Sequence, residues 1–259
     1  MKNFVKLALG TLALASSVAF AQAPSLPSSG DGSVTLTLFS TNDATPFSYS
    51  YNLGLTVSQL STLPTSGAPQ TWSLTGLAAD LSGFSGTSSL VFDVSGASSS
   101  GSPVKTAGAV KFATTVDPSV SAATLAALTN GGPEGTEAVN NTWLTNWSGT
   151  ANNQFTTNPS AANYANANYG SAEGFWAFNA ASSVSNSVPF YELLTAKGGT
   201  TTTIQTPVQF AGLFSVNLAN DTLTYSPVPL PAGVWLLLSG LAGMGVFGRR
   251  RNDVNGAAA

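Results

Sequence analysis

The 259-residue chain contains no histidine and no cysteine, and that absence decides most of its chemistry. Ser-His-Asp and Cys-His nucleophile systems, histidine-held metals and thiolate zinc sites are all excluded. The chain has no phosphate loop ending in Gly-Lys-Ser/Thr, and Gly131-Gly132 and Gly198-Gly199 read as flexible turns. Paired carboxylates are the enzymatic route that remains, since glycosidases need two acids about 5 to 10 Å apart and no histidine. Glu134, Glu137 and Glu173 fall in an Asn- and aromatic-rich segment and Glu192 in a predicted strand, but no pair has a recognisable spacing. The simpler reading is solvated acids, so no catalytic residue is expected and a carboxylate-dependent glycosidase is a distant alternative.

The same segment offers a binding chemistry. Trp143, Trp147, Tyr164, Tyr169 and Trp176 are interspersed with Asn140, Asn141, Asn152, Asn153, Asn163, Asn166 and Asn168. Flat rings stack on the C–H faces of sugars while amides pair with their hydroxyls, so Trp143, Trp147 and Trp176 are candidate carbohydrate-binding residues. The competing reading, which is favoured, is that these rings pack the segment against a sheet. No cofactor is expected. Calcium is a weak alternative, because Asp31, Asp43, Asp93, Asp117 and Asp221 lie near predicted turns but no Asp-x-Asp-x-Asp-Gly loop exists.

The elements that would position these residues are mostly strands. Ser33 to Phe39 alternates Val34, Leu36 and Leu38 with Thr35 and Thr37, the pattern of a sheet with one buried and one hydroxyl-bearing face. Phe47 to Leu53, Leu55 to Val57, Thr71 to Leu74, Ser88 to Val94 and Ala107 to Phe112 continue it. Asp117 to Leu128 reads as a short capped helix ending at Asn130-Gly131-Gly132. A long insertion or helical excursion, about 117–171, interrupts the strands. Strand character returns at Phe175 to Phe178, Val188 to Leu194, Thr201 to Ile204, Val208 to Val216 and Thr222 to Tyr225, with Asn220-Asp221 as the final turn. The expected fold is mostly β, an antiparallel sandwich or jelly-roll-like domain with a short helical or irregular insertion.

The two ends read as addresses. Lys2 and Lys6, the apolar Leu7 to Phe20 and the small-residue site Ala19-Phe20-Ala21 form a signal peptide over 1–21, with a Pro/Ser/Gly linker at 22–32. The β-rich body then spans 33–227. Beyond it, Val228-Pro229-Leu230-Pro231-Ala232 precedes an apolar run to Gly248 and then Arg249, Arg250 and Arg251. As a helix, Ala232 to Gly248 would reach about 25 Å, slightly short of a hydrocarbon core of about 30 Å. A buried core helix is the competitor, but three arginines suit a cytoplasmic headgroup level better, and the prolines stop the helix upstream.

This arrangement resembles the VPLPA variant of the PEP-CTERM sorting signals. The resemblance covers about 25 residues and implies sorting, not activity. It implies recognition by exosortase, a membrane-embedded cysteine protease of Gram-negative bacteria, in organisms that make exopolysaccharide. Asn252 to Ala259 depart from it, since such signals usually stop within a few residues of the arginines. Without the two signals, three lysines face ten carboxylates, a net charge of about −7 that disfavours nucleic acid as a partner. The expectation is a non-enzymatic exported protein, anchored transiently in the inner membrane and then placed at the cell surface or in the matrix. Its expected partners are signal peptidase and an exosortase-type protease, with exopolysaccharide or self-association through unprotected strand edges as further candidates.

Overall fold

A computed structural model of the chain describes residues 23–40, 44–147, 152–164 and 182–228. Among these residues ten strands are formed: β1 (Ser33–Ser40), β2 (Ser48–Thr56), β3 (Gln70–Ser73), β4 (Leu90–Ser99), β5 (Val110–Thr115), β6 (Asn153–Thr156), β7 (Ser182–Ser183), β8 (Ser187–Leu194), β9 (Val208–Asn217) and β10 (Thr222–Pro227). Three α-helices accompany them: α1 (Leu77–Leu81), α2 (Ala122–Ala126) and α3 (Gly131–Thr145). The fold is mostly β and antiparallel, as expected. The strands form one continuous sheet in the order β3-β10-β9-β8-β5-β4-β1-β2-β6, with β7 paired beside β4.

This sheet curls until its halves face each other, as the layers of a sandwich do. Trp72, Phe190, Phe214, Leu223 and Tyr225 from one half share a core with Leu36, Tyr49, Tyr51 and Phe92 from the other. Side chains join the two edges: the Trp72 indole donates to the Leu53 carbonyl at 3.1 Å, and the Tyr49 hydroxyl and Asn153 amide both reach the Thr75 carbonyl, at 2.9 and 2.8 Å. These bonds bring the two ends of the sheet, at β3 and β6, towards each other, though the two strands do not pair.

The expected strands are largely present, with four corrections. The two predicted strands Phe47 to Leu53 and Leu55 to Val57 merge into a single strand, β2, which ends at Thr56 before Val57 begins a 3-10 helix, with a register shift opposite the Val34/Thr35 junction. β4 runs five residues further than its apolar pattern, to Ser99, because Ser95 to Ser99 pair with β5. Thr201 to Ile204 contributes a single bridge, Thr129 to Thr203, and no strand. Gly131-Gly132 does not end a helix but begins one: α3 starts there, and Pro133 is tolerated because N–H groups in a first helical turn have no intrahelical acceptor. The predicted strand Phe175 to Phe178 lies outside the described residues.

The hydroxyl-bearing face of β1 is not exposed. Every residue of β1 is buried, because α3 packs on β4 and β5 and closes that face with a second apolar cluster. Trp143 and Leu144 from the end of α3, with Trp147 just beyond it, meet Phe39, Ala97, Phe112 and Leu193 there. Pinning at both ends holds α3 in place. At its start the buried Asn130 amide donates to the carbonyls of Ala196 (2.9 Å) and Gly199 (3.1 Å) and accepts from Ala196 N–H (2.8 Å). Further along, Asn141 accepts from Ser28 N–H at 3.2 Å, in the segment that runs into Gly32, which bonds Ala97 of β4.

Candidate functional site

Of the tryptophans singled out for sugar binding, Trp143 is 0 % and Trp147 8 % exposed, and they pack edge-to-face with centroids 5.6 Å apart. Neither ring offers a face to a ligand, so for these two the packing reading holds: they are the apolar ridge by which α3 grips the sheet. Trp176 and Glu173 lie outside the described residues. Glu134 and Glu137 sit on α3, and burial pushes the Glu137 carboxyl up. Glu192 lies 4.0 Å from Lys111, a surface ion pair of small energetic weight.

The aspartates considered for calcium do not converge, and among the described residues no group of three acids forms a cation site. Asp31 caps the 3-10 helix Val57–Thr62, accepting from Ser58 N–H at 2.9 Å and Ser58 Oγ at 2.5 Å. Burial pushes its pKa up, but hydrogen bonds from Ser58 and Thr56 outweigh this and hold it below the ordinary value. Asp117 accepts from Ser119 N–H two residues on, while Ser121 caps α2 through Thr124 N–H. Asp221 holds the final turn with a positive φ of 48°. Asp43 lies outside the described residues.

Asp93 is different, and the strand pattern alone gave no sign of it. Strand register places two cross-sheet rows of polar side chains on the buried face under α3. One row runs Gln154, Ser50, Thr37, Asp93, and the other Asn52, Thr35, Ser95, Thr114. All eight are buried. The Asp93 carboxylate accepts from Thr115 Oγ1 at 2.6 Å and Thr114 Oγ1 at 3.1 Å, and the same Thr115 hydroxyl accepts Val94 N–H where the β4–β5 ladder stops. Burial pushes the carboxyl up to about 6, against the lowering effect of the Thr115, Ser95 and Thr114 hydroxyls. Among the described residues it makes no ion pair. Enclosed and without a second acid across a cleft, Asp93 lacks the arrangement that two-carboxylate hydrolysis needs. Its donors fix the end of one ladder.

An open cleft lies outside the sheet's edge, with a cavity volume of about 380 Å³. Phe47, Phe84 and Phe155 line it together with Asp80, Ser82 and Thr157. The Phe47 ring stands 5.0 Å from Phe84 and 5.2 Å from Phe155, tilted 43° and 55°, so the rings form facets of a cup. Asp80 is the one acid in the lining, and burial pushes its carboxyl up. Little in the sequence announces the cup, because its rings come from three separate segments and only the fold brings them together.

Of the sorting elements, Val228 is described: it is 49 % exposed and its N–H still bonds Ala211 at 2.7 Å. Pro229, Leu230, Pro231, Ala232, Arg249, Arg250 and Arg251 lie outside the described residues, as does the expected membrane helix. No helix among the described residues is long and apolar enough to cross a membrane. Comparisons with protein-family models, with curated proteins and with solved structures found no match to this chain.

Proposed function

We propose that this chain is an exported, non-enzymatic surface or extracellular-matrix protein whose C-terminal segment is read by an exosortase-type protease. The observation that carries the reading is the order of the tail: Val228-Pro229-Leu230-Pro231-Ala232, an apolar run of helix-forming length, then Arg249 to Arg251. The position of that tail supports it. β10 ends at Pro227, so the sorting motif begins immediately after the last described strand. The N-terminal signal supplies export, and the arginines would hold the tail at the cytoplasmic side until cleavage. The scattered acids of the body give no support to a glycosidase.

Intact mass of the protein from the envelope and culture medium of its native host tests this. A species lacking 1–21 and ending near Ala232 is the expected result. A species that keeps Arg249 to Ala259 in both fractions would make the tail a permanent anchor and remove the sorting reading.

A further inference from the structure

The Phe47–Phe84–Phe155 cup presents an exposed aromatic ring beside an uncompensated charge. Phe155, on the edge strand β6, is 37 % exposed and is the one aromatic among the large apolar side chains left open to solvent in the described residues. Phe84 leans on the fully buried Phe47 from the other side, so the floor is rigid and the rim is open. Asp80 projects from α1 into this lining and makes no hydrogen bond through its side chain and no ion pair among the described residues. No lysine lines the cleft. A carboxylate packed beside aromatic rings loses hydration without gaining a counter-charge, and aromatic faces attract cations through their quadrupole. The charge of the whole body, about −7, favours the same sign of ligand.

We propose that this cleft binds an organic cation, an alkylammonium group seated against the Phe84 and Phe155 rings with Asp80 as its counter-charge. A neutral sugar would use the same rings but would gain nothing from an unpaired carboxylate. The ammonium group uses both features at once, as ring face and anion converge on one volume. The site stands apart from the export reading: processing of the tail can be correct while the cleft binds nothing, and the reverse.

Calorimetric titration of the full-length protein with choline, and with its neutral isostere 3,3-dimethylbutan-1-ol, tests the proposal. Choline is expected to bind saturably, and the alcohol about tenfold more weakly or worse. Asp80→Asn and Phe155→Ala are each expected to weaken choline binding by about tenfold, and a thermal melt of each variant checks that the fold is kept. Binding should also fall as pH drops through the raised pKa of Asp80, because protonation removes the counter-charge. Equal affinity for the alcohol, choline binding unchanged in Asp80→Asn, or no saturable binding of choline would each overturn it. If Phe155→Ala lowers the melting temperature, the choline-to-alcohol ratio and Asp80→Asn still decide the question.

Discussion

Asp93 shows what one side chain costs this fold. Its pKa of about 6 stands above the ordinary 3.8, which means that burial disfavours its charged form more than the hydroxyl bonds favour it. The sign follows from linkage. Below pH 3.8 the group is protonated both folded and unfolded and imposes no penalty. As pH rises from there to about 6, the unfolded chain releases its proton more readily, and stability falls by about 3 kcal/mol before levelling off. The protein should therefore be more stable at pH 5 than at pH 7.5. Asp93→Asn keeps an acceptor for Thr115 and Thr114 but carries no charge, so its stability should lose this slope. Urea unfolding of both forms at pH 5 and 7.5 measures the difference; parallel pH profiles would mean that the carboxylate is not enclosed as the structure has it.

At the scale of elements, α3 carries the second core and is also the element that sequence reading placed least well. Its fifteen residues include three glycines, a proline and two asparagines, a composition with poor intrinsic helix propensity. It forms because tertiary contacts override propensity: Trp143 and Leu144 are buried at one end and Asn130 is bonded to the β8–β9 loop at the other. No periodic stripe announces such a helix, since only part of one face is apolar. β1, β9 and β10 were legible for the opposite reason, as their Val/Leu/Phe/Tyr positions alternate against a core on one side. The end of β4 was not, because Ser95-Gly96-Ala97-Ser98-Ser99 carries no bulky residue and its place is set by ladder bonds to β5. The burial of the hydroxyl face was missed with α3, since Thr35 and Thr37 look solvent-facing until something covers them. Asn130→Ala would remove a partner from the part-buried carbonyls of Ala196, Gly198 and Gly199 and from the Ala196 N–H, and should destabilise the protein by about 1 to 3 kcal/mol in urea unfolding. A change below about 0.5 kcal/mol, the usual range of surface substitutions, would show that α3 is held by its tryptophans alone.

For the whole molecule, the defining event is the meeting of the sheet's two edges. The strand ladder does not close: β3 and β6 share no register pairing, so the curl is locked by side chains reaching across the gap. Two of them, Tyr49 Oη and Asn153 Nδ2, converge on one acceptor, the Thr75 carbonyl. That sharing makes a particular kind of non-additivity. Removing either donor leaves the carbonyl with one partner, so Tyr49→Phe and Asn153→Ala should each cost about 1 kcal/mol or less. Removing both leaves that carbonyl, on the exposed Thr75, to solvent alone. The double variant should therefore lose slightly more than the sum of the singles, with a coupling of about 0.5 kcal/mol. Chemical denaturation of the four proteins in the cycle gives that coupling directly. Strict additivity would mean that the edges are held by the apolar contacts of Trp72 and the shared core, and that the polar seam follows the closure without contributing to it.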